Sequence, residues 1–117
     1  MMKKLRTRFK LWLNTKEAEG VFGDGKWQLL RAIESERSLR AASQKLSISY
    51  RKAWGDLKKA EHGLKMTLVK KQRGGRLGGR TCLTENGKKW VKAYSKFHRE
   101  IKKAAEKAYE KHIRKLV

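Results

Sequence analysis

The sequence contains no proline, a single cysteine (Cys82), and only 11 acidic residues against 32 Lys and Arg. Without proline there is no Pro-rich linker, and no internal repeat divides the chain. One cysteine excludes an intrachain disulfide framework. A reducing cytoplasm is therefore the expected compartment, with association to the nucleoid. No apolar run approaches the roughly 20 residues that a membrane-spanning helix needs. The N-terminus, MMKKLRTRFKLWL, is basic but has neither a long apolar core nor a small-residue cleavage site, so no signal peptide is expected. The shortage of acids leaves a formal net charge of +21. At that excess the expected partner is a polyanion. Nucleic acid ranks first, because Lys and Arg release condensed counterions from its phosphates. A membrane surface ranks second, since it requires a basic amphipathic helix with no folded core around it.

Chemistry-bearing constellations are also missing. No nucleophile stands beside a base and no paired carboxylates occur, so an enzyme is not expected. His62, His98 and His112 lie far apart without cysteine or carboxylate neighbours, which speaks against a metal site. The glycine-rich stretch RGGRLGGR (Arg73 to Arg80) lacks the Gly-Lys-Ser/Thr ending of a nucleotide-binding loop. No cofactor is expected.

What is present is a patterned globule. Four Trp, three Tyr and three Phe stand among regularly spaced aliphatics in 117 residues, enough for one domain with a modest core. Arg6 to Leu13 alternates, with Phe9, Leu11 and Leu13 on one face, and predicts a strand. Val21–Phe22 is expected to return beside it, and Asp24 to cap a helix from Gly25 to Glu36 through Trp27, Leu29, Leu30 and Ile33. Ser38 is placed to cap a second helix that buries Leu39, Ala42 and Leu46. Ser47-Ile48 is the turn. Ser49 caps a third helix to about His62, whose inward residues are Ala53, Leu57 and Ala60. Met66 to Gln72 and Thr81 to Leu83 predict two paired strands around the glycine-rich tip, with Cys82 as a buried thiol. Thr84 caps a last helix running from Glu85 to near Leu116. Its residues Trp90, Tyr94, Phe97, Ile101, Ala104 and Ala108 recur at alternating spacings of four and three, a heptad seam for pairing with a second helix. Its opposite face is rich in lysine.

These elements predict an α+β, mostly α, fold: a winged helix-turn-helix over residues 1–84 and a long C-terminal dimerisation helix over 85–117. In such a motif the third helix reads duplex DNA. Ser49, Tyr50, Arg51, Lys52, Gly55 and Asp56 face away from its apolar side. Arg51 is the expected base reader, because its planar fork matches the two acceptors of a guanine edge. Tyr50 suits a phosphate or a thymine methyl. Trp54 is expected to pack, stacked with Tyr50. Gly55 has two readings, a close backbone approach to phosphate or an accommodation of packing. Ser38, Arg40 and Lys45 flank the second helix as phosphate contacts, as do Lys58 and Lys59 further along the third. Arg73, Gly74, Gly75, Arg76 and Arg80, preceded by Lys70 and Lys71, form a tip that can lie along the backbone or in the minor groove.

Ala41-Ala42, Leu46 and the run Ser49-Tyr50-Arg51-Lys52-Ala53-Trp54 resemble the helix-turn-helix of molybdate-responsive, ModE-type transcription regulators. The segments Gly74-Gly75-Arg76-Leu77-Gly78-Gly79 and Leu83-Thr84-Glu85-Asn86-Gly87 resemble the same family, whose DNA-binding domain is related to that of LysR-type regulators. The resemblance covers about residues 6 to 100. It implies a winged helix-turn-helix that dimerises through its terminal helix and binds double-stranded DNA. Two departures stand out. Ser47 occupies a turn position that is glycine in most of the family, and the chain ends at Val117, where the family's molybdate-sensing module would follow. The expectation is DNA binding without molybdate sensing by this polypeptide. A separate sensor protein docked on the Lys-rich helix is a further reading. The leading expectation is a sequence-specific homodimeric regulator. The alternatives are an architectural, chromatin-like protein with little sequence preference, and an RNA-associated protein.

Overall fold

A hydroxyl closes the N-terminus of each helix from the second onward. In the computed structural model, which describes residues 4–72 and 80–117, Ser38 Oγ accepts from the Ala41 amide at 3.0 Å and opens α2 (Leu39–Lys45). Ser49 Oγ accepts from Lys52 N at 2.9 Å and opens α3 (Tyr50–Leu64). Thr84 Oγ1 accepts from Gly87 N at 3.0 Å and opens α4 (Glu85–His112). Each cap satisfies an amide that the helix itself leaves without a partner.

The first helix, α1 (Asp24–Glu36), is the exception. Asp24 was expected to cap it, but Gly23 holds that position and makes no side-chain cap. The Asp24 carboxylate is engaged elsewhere. It accepts a 2.7 Å hydrogen bond from the Tyr94 hydroxyl and a longer one, 3.4 Å, from Leu11 N. Tyr94 lies 70 residues on, beyond the reach of any local pattern.

The expected N-terminal strand is shorter than its alternation. Only β1 (Trp12–Leu13) pairs, antiparallel with β2 (Phe22–Gly23). Phe9, Leu11 and Leu13 are nonetheless half-buried while Arg8, Lys10 and Trp12 are exposed. The alternation reports which face is covered; the ladder needs a partner strand, and β2 supplies only two residues. A second antiparallel pair, β3 (Val69–Gln72) with β4 (Arg80–Leu83), runs in the register Val69 to Leu83 through Gln72 to Arg80. It forms the stem of the wing. The tip residues Arg73, Gly74, Gly75 and Arg76 lie outside the described residues. Cys82 is half-buried rather than buried.

The core gathers Phe22, Leu29, Leu30, Ile33, Leu39, Ala42, Ala53, Leu57, Ala60, Leu68, Leu83 and Tyr94. Leu68 enters the core beside Gly87. A Cβ on Gly87 would lie 2.2 Å from the Leu68 carbonyl oxygen, so glycine alone permits α4 to start against the backbone that leads into β3. Between α2 and α3, Ser47 has φ 57°. A non-glycine residue there costs about 1–2 kcal/mol, which gives a physical reason for glycine at this turn position. Among the described residues no helix is long and apolar enough to cross a membrane.

Candidate nucleic-acid interface

Three turns of α3 bury Ala53, Leu57 and Ala60. By the helical period, the line opposite them runs through Arg51 and Gly55, one turn apart. Both are exposed. Arg51 makes no ion pair among the described residues. A Cβ added to Gly55 would meet nothing within 4 Å. The packing explanation for this glycine is thereby removed, and open space above the backbone remains.

The flanks of this line are ordered by side-chain contacts. Lys52 Nζ bonds Asp56 Oδ2 at 2.7 Å, an exposed pair one turn apart. On the other flank the Arg40 guanidinium of α2 sits 4.8 Å from the Tyr50 ring centroid, tying the two helices of the motif together. Tyr50 therefore stacks with Arg40 and not, as expected, with Trp54. Ser38 and Ser49 are occupied as caps, but each hydroxyl accepts there and keeps its own proton to donate. Lys45 is paired to Glu36 at 3.6 Å.

Trp54 was expected to be packed away. It is 38% exposed, with Lys58 Nζ 4.5 Å and Lys71 Nζ 5.9 Å from its ring centroid. Lys71 belongs to β3. Helix α3 and the wing stem thus meet at one indole, which brings a cation of each to the same spot. A second tie lies deeper. Glu61 Oε2 accepts from the amides of Leu68 (2.7 Å) and Val69 (3.3 Å), and its Oε1 pairs with Lys58 at 3.4 Å. Sequence reasoning missed Glu61, because a carboxylate near the end of a basic helix carries no sign of a turn that folds back on it. Arg80, at the start of β4, is exposed and paired in register with Gln72.

Lys26 of α1 lines an open pocket together with Lys52 and Asp56 of α3. Burial lowers the pKa of its ammonium below the ordinary value, and the Asp56 charge works in the other direction. Its Nζ donates to the Gly20 carbonyl at 2.9 Å.

The expected dimer seam divides in two. Tyr94 is only 2% exposed; its ring packs edge-on to Phe22 at 5.2 Å and its hydroxyl is spent on Asp24. Trp90 is half-buried with its ring 4.7 Å from Phe22. These two residues belong to the core of their own chain, so Tyr94 is removed from the seam and Trp90 is largely committed. Heptad spacing marks apolar positions without saying whose surface covers them. Phe97 is 37% exposed, Ile101 is half-buried, and Ala104 and Ala108 are exposed.

The two-helix motif, the third helix with an outward arginine, and the paired strands of the stem define a winged helix-turn-helix fold. The crystal structure of the BenM DNA-binding domain with benA site 1 DNA superposes with a TM-score of 0.59 at 18% identity, over 77% of this chain and 96% of that one. The oxidised form of Corynebacterium glutamicum OxyR gives 0.53 at 21% identity, over 72% of this chain and 26% of that one. No family model matches the chain. In sequence, the chain is similar to the molybdenum transport protein ModE of Azotobacter vinelandii, 33% identical over 91 residues. That match covers 78% of this chain and 34% of the relative, so the chain spans about a third of that protein's length.

Proposed function

We propose that the chain is a transcription regulator that reads duplex DNA by sequence and works as a homodimer. One observation carries this reading: Arg51 and Gly55 share the outward line of α3, and the wing stem's Lys71 reaches across the neighbouring Trp54. An arginine reader and a cationic hairpin then embrace the same double strand. Arg51 bonds a guanine edge in the major groove. The bare backbone at Gly55 lets a phosphate approach. Arg40, Tyr50, Lys52 and the hydroxyls of Ser38 and Ser49 hold the flanking backbone. Arg73, Gly74, Gly75, Arg76 and Arg80 extend the grip from the wing.

Phe97, Ile101, Ala104 and Ala108 pair with the same stripe of a second copy. Two recognition helices then enter successive major grooves about 34 Å apart. Selection from a random-sequence duplex library by the full chain tests this directly. An enriched motif with two-fold symmetry is the expected result. Enrichment of no motif would establish the architectural alternative, which the net charge of +21 favours. On the selected site, Arg51→Ala should cost about 1–3 kcal/mol, and little on random duplex.

A further inference from the structure

The terminal helix carries a second cationic surface that the recognition motif does not use. Lys89, Lys92, Lys96, Arg99, Lys103 and Lys107 recur at intervals of three and four along α4. All six are exposed. None makes an ion pair among the described residues, where the acid–base pair formed within α4 itself joins Lys88 to Glu85. The ladder extends about 27 Å at 1.5 Å per residue.

Its direction follows from the contacts of the same helix. Tyr94 faces Phe22 and Asp24, and Ser95 and His98 face Trp27. The rungs lie on the opposite side of the helical wheel, turned away from α1. The recognition helix packs on another part of α1, where Lys26 faces Asp56 and Lys52 while the next residue, Trp27, faces α4. The two cationic surfaces are therefore separate. The ladder also avoids the Phe97, Ile101, Ala104 and Ala108 stripe, so it stays open when that stripe is covered.

We propose that this ladder is a second polyanion site that holds the phosphate backbone of a further duplex segment while α3 engages the first. The inference rests on the DNA-binding reading above and adds a bridging activity to it. Duplex backbone is the occupant the chemistry favours. Phosphates recur every 3.4 Å along a strand and need only cations to hold them. A protein partner would need an apolar or aromatic anchor, and no rung supplies one.

The test uses the full chain, one immobilised duplex and a second, labelled duplex. The unmodified chain retains the first and captures the second. The quadruple variant Lys92→Gln, Lys96→Gln, Lys103→Gln, Lys107→Gln should still retain the first duplex while capture of the second falls about tenfold or more at moderate salt. A control with four exposed N-terminal cations removed (Lys4→Gln, Arg6→Gln, Lys10→Gln, Lys16→Gln) should capture normally, because it loses the same charge elsewhere. Equal capture by the ladder variant and the unmodified chain overturns the proposal. So does equal loss in both variants, which would mean that bulk charge alone is responsible. Capture of an acidic protein or of single-stranded RNA in place of duplex overturns the assignment of the occupant. Failure of the unmodified chain to retain the first duplex is read separately. It sinks the DNA-binding reading, and the bridging proposal with it.

Discussion

Helices α3 and α4 are written in the same way, an apolar stripe on one side and cations on the other, yet the fold treats them differently. The stripe of α3 is consumed completely: Ala53, Leu57 and Ala60 are at most 1% exposed. What remains exposed of its larger apolar side chains is Tyr50 at its start and Trp54 at its edge, and the rest of the outward surface of α3 is polar. The stripe of α4 is consumed only as far as Tyr94. Beyond Phe97 the cover thins to the N-terminal segment, whose Phe9 ring sits 5.1 Å from His98, and the molecule is drawn out to 59 × 35 × 22 Å. The last hydrophobic side chains are open, with Leu116 72% exposed. A short helix that spends its whole apolar side on its own core becomes a presenting surface. A long helix that spends half keeps an apolar remainder, and such a remainder calls for a second covering surface.

This contrast can be broken by substitution, and the effects should fall in a fixed order. Leu57→Ala, in the consumed stripe of α3, should lower the unfolding free energy by about 3–4 kcal/mol, measured by denaturant titration, because the core cannot collapse into the space left. Next comes Tyr94→Phe, which should cost about 1.5–3 kcal/mol by removing a buried hydrogen bond to a carboxylate.

Tyr94 has a pH signature as well. Burial first, and then the Asp24 hydrogen bond and charge, raise its pKa above the ordinary 10.0. The folded state favours the neutral phenol. Its contribution is complete below the ordinary value and is lost as pH climbs above it. The alkaline limb of the stability profile should therefore be shallower in Tyr94→Phe than in the unmodified chain.

Smaller still is Gly55→Ala on the outward line of α3. It should raise stability by about 1 kcal/mol through helix propensity while weakening duplex binding, since the added methyl would stand where the proposed function brings a phosphate. Stabilisation with unchanged DNA affinity would remove Gly55 from the interface. Last, Ala108→Lys on the free half of α4 should change monomer stability by less than about 0.5 kcal/mol. The same change should shift sedimentation toward the monomer. No shift would mean that the remainder of the stripe is not where two copies meet.

Features set by neighbours in sequence were legible without coordinates. Ser38, Ser49 and Thr84 each sit one residue before their helix, and each accepts from the amide three residues on. The inward residues of α3 were readable for the same reason. Features set by distant neighbours were not. Asp24 looks like a cap, but the Tyr94 hydroxyl claims it. Trp54 and Tyr50 are spaced to stack, yet each takes a cation from another element. Trp90 and Tyr94 keep the heptad rhythm of Phe97 and Ile101 although Phe22 already covers them. Of the candidate interface, the existence of α3 and its inward face were readable, and the two joints holding the wing stem to it, Trp54 with Lys71 and Glu61 with the Leu68 and Val69 amides, were not.

The Glu61 joint has a mechanical consequence. One carboxylate grips two successive amides at the point where β3 departs from α3, so the angle between helix and hairpin stem is braced from inside. On the proposed reading, a duplex gripped by both elements would have to adapt its groove width and curvature to that braced angle.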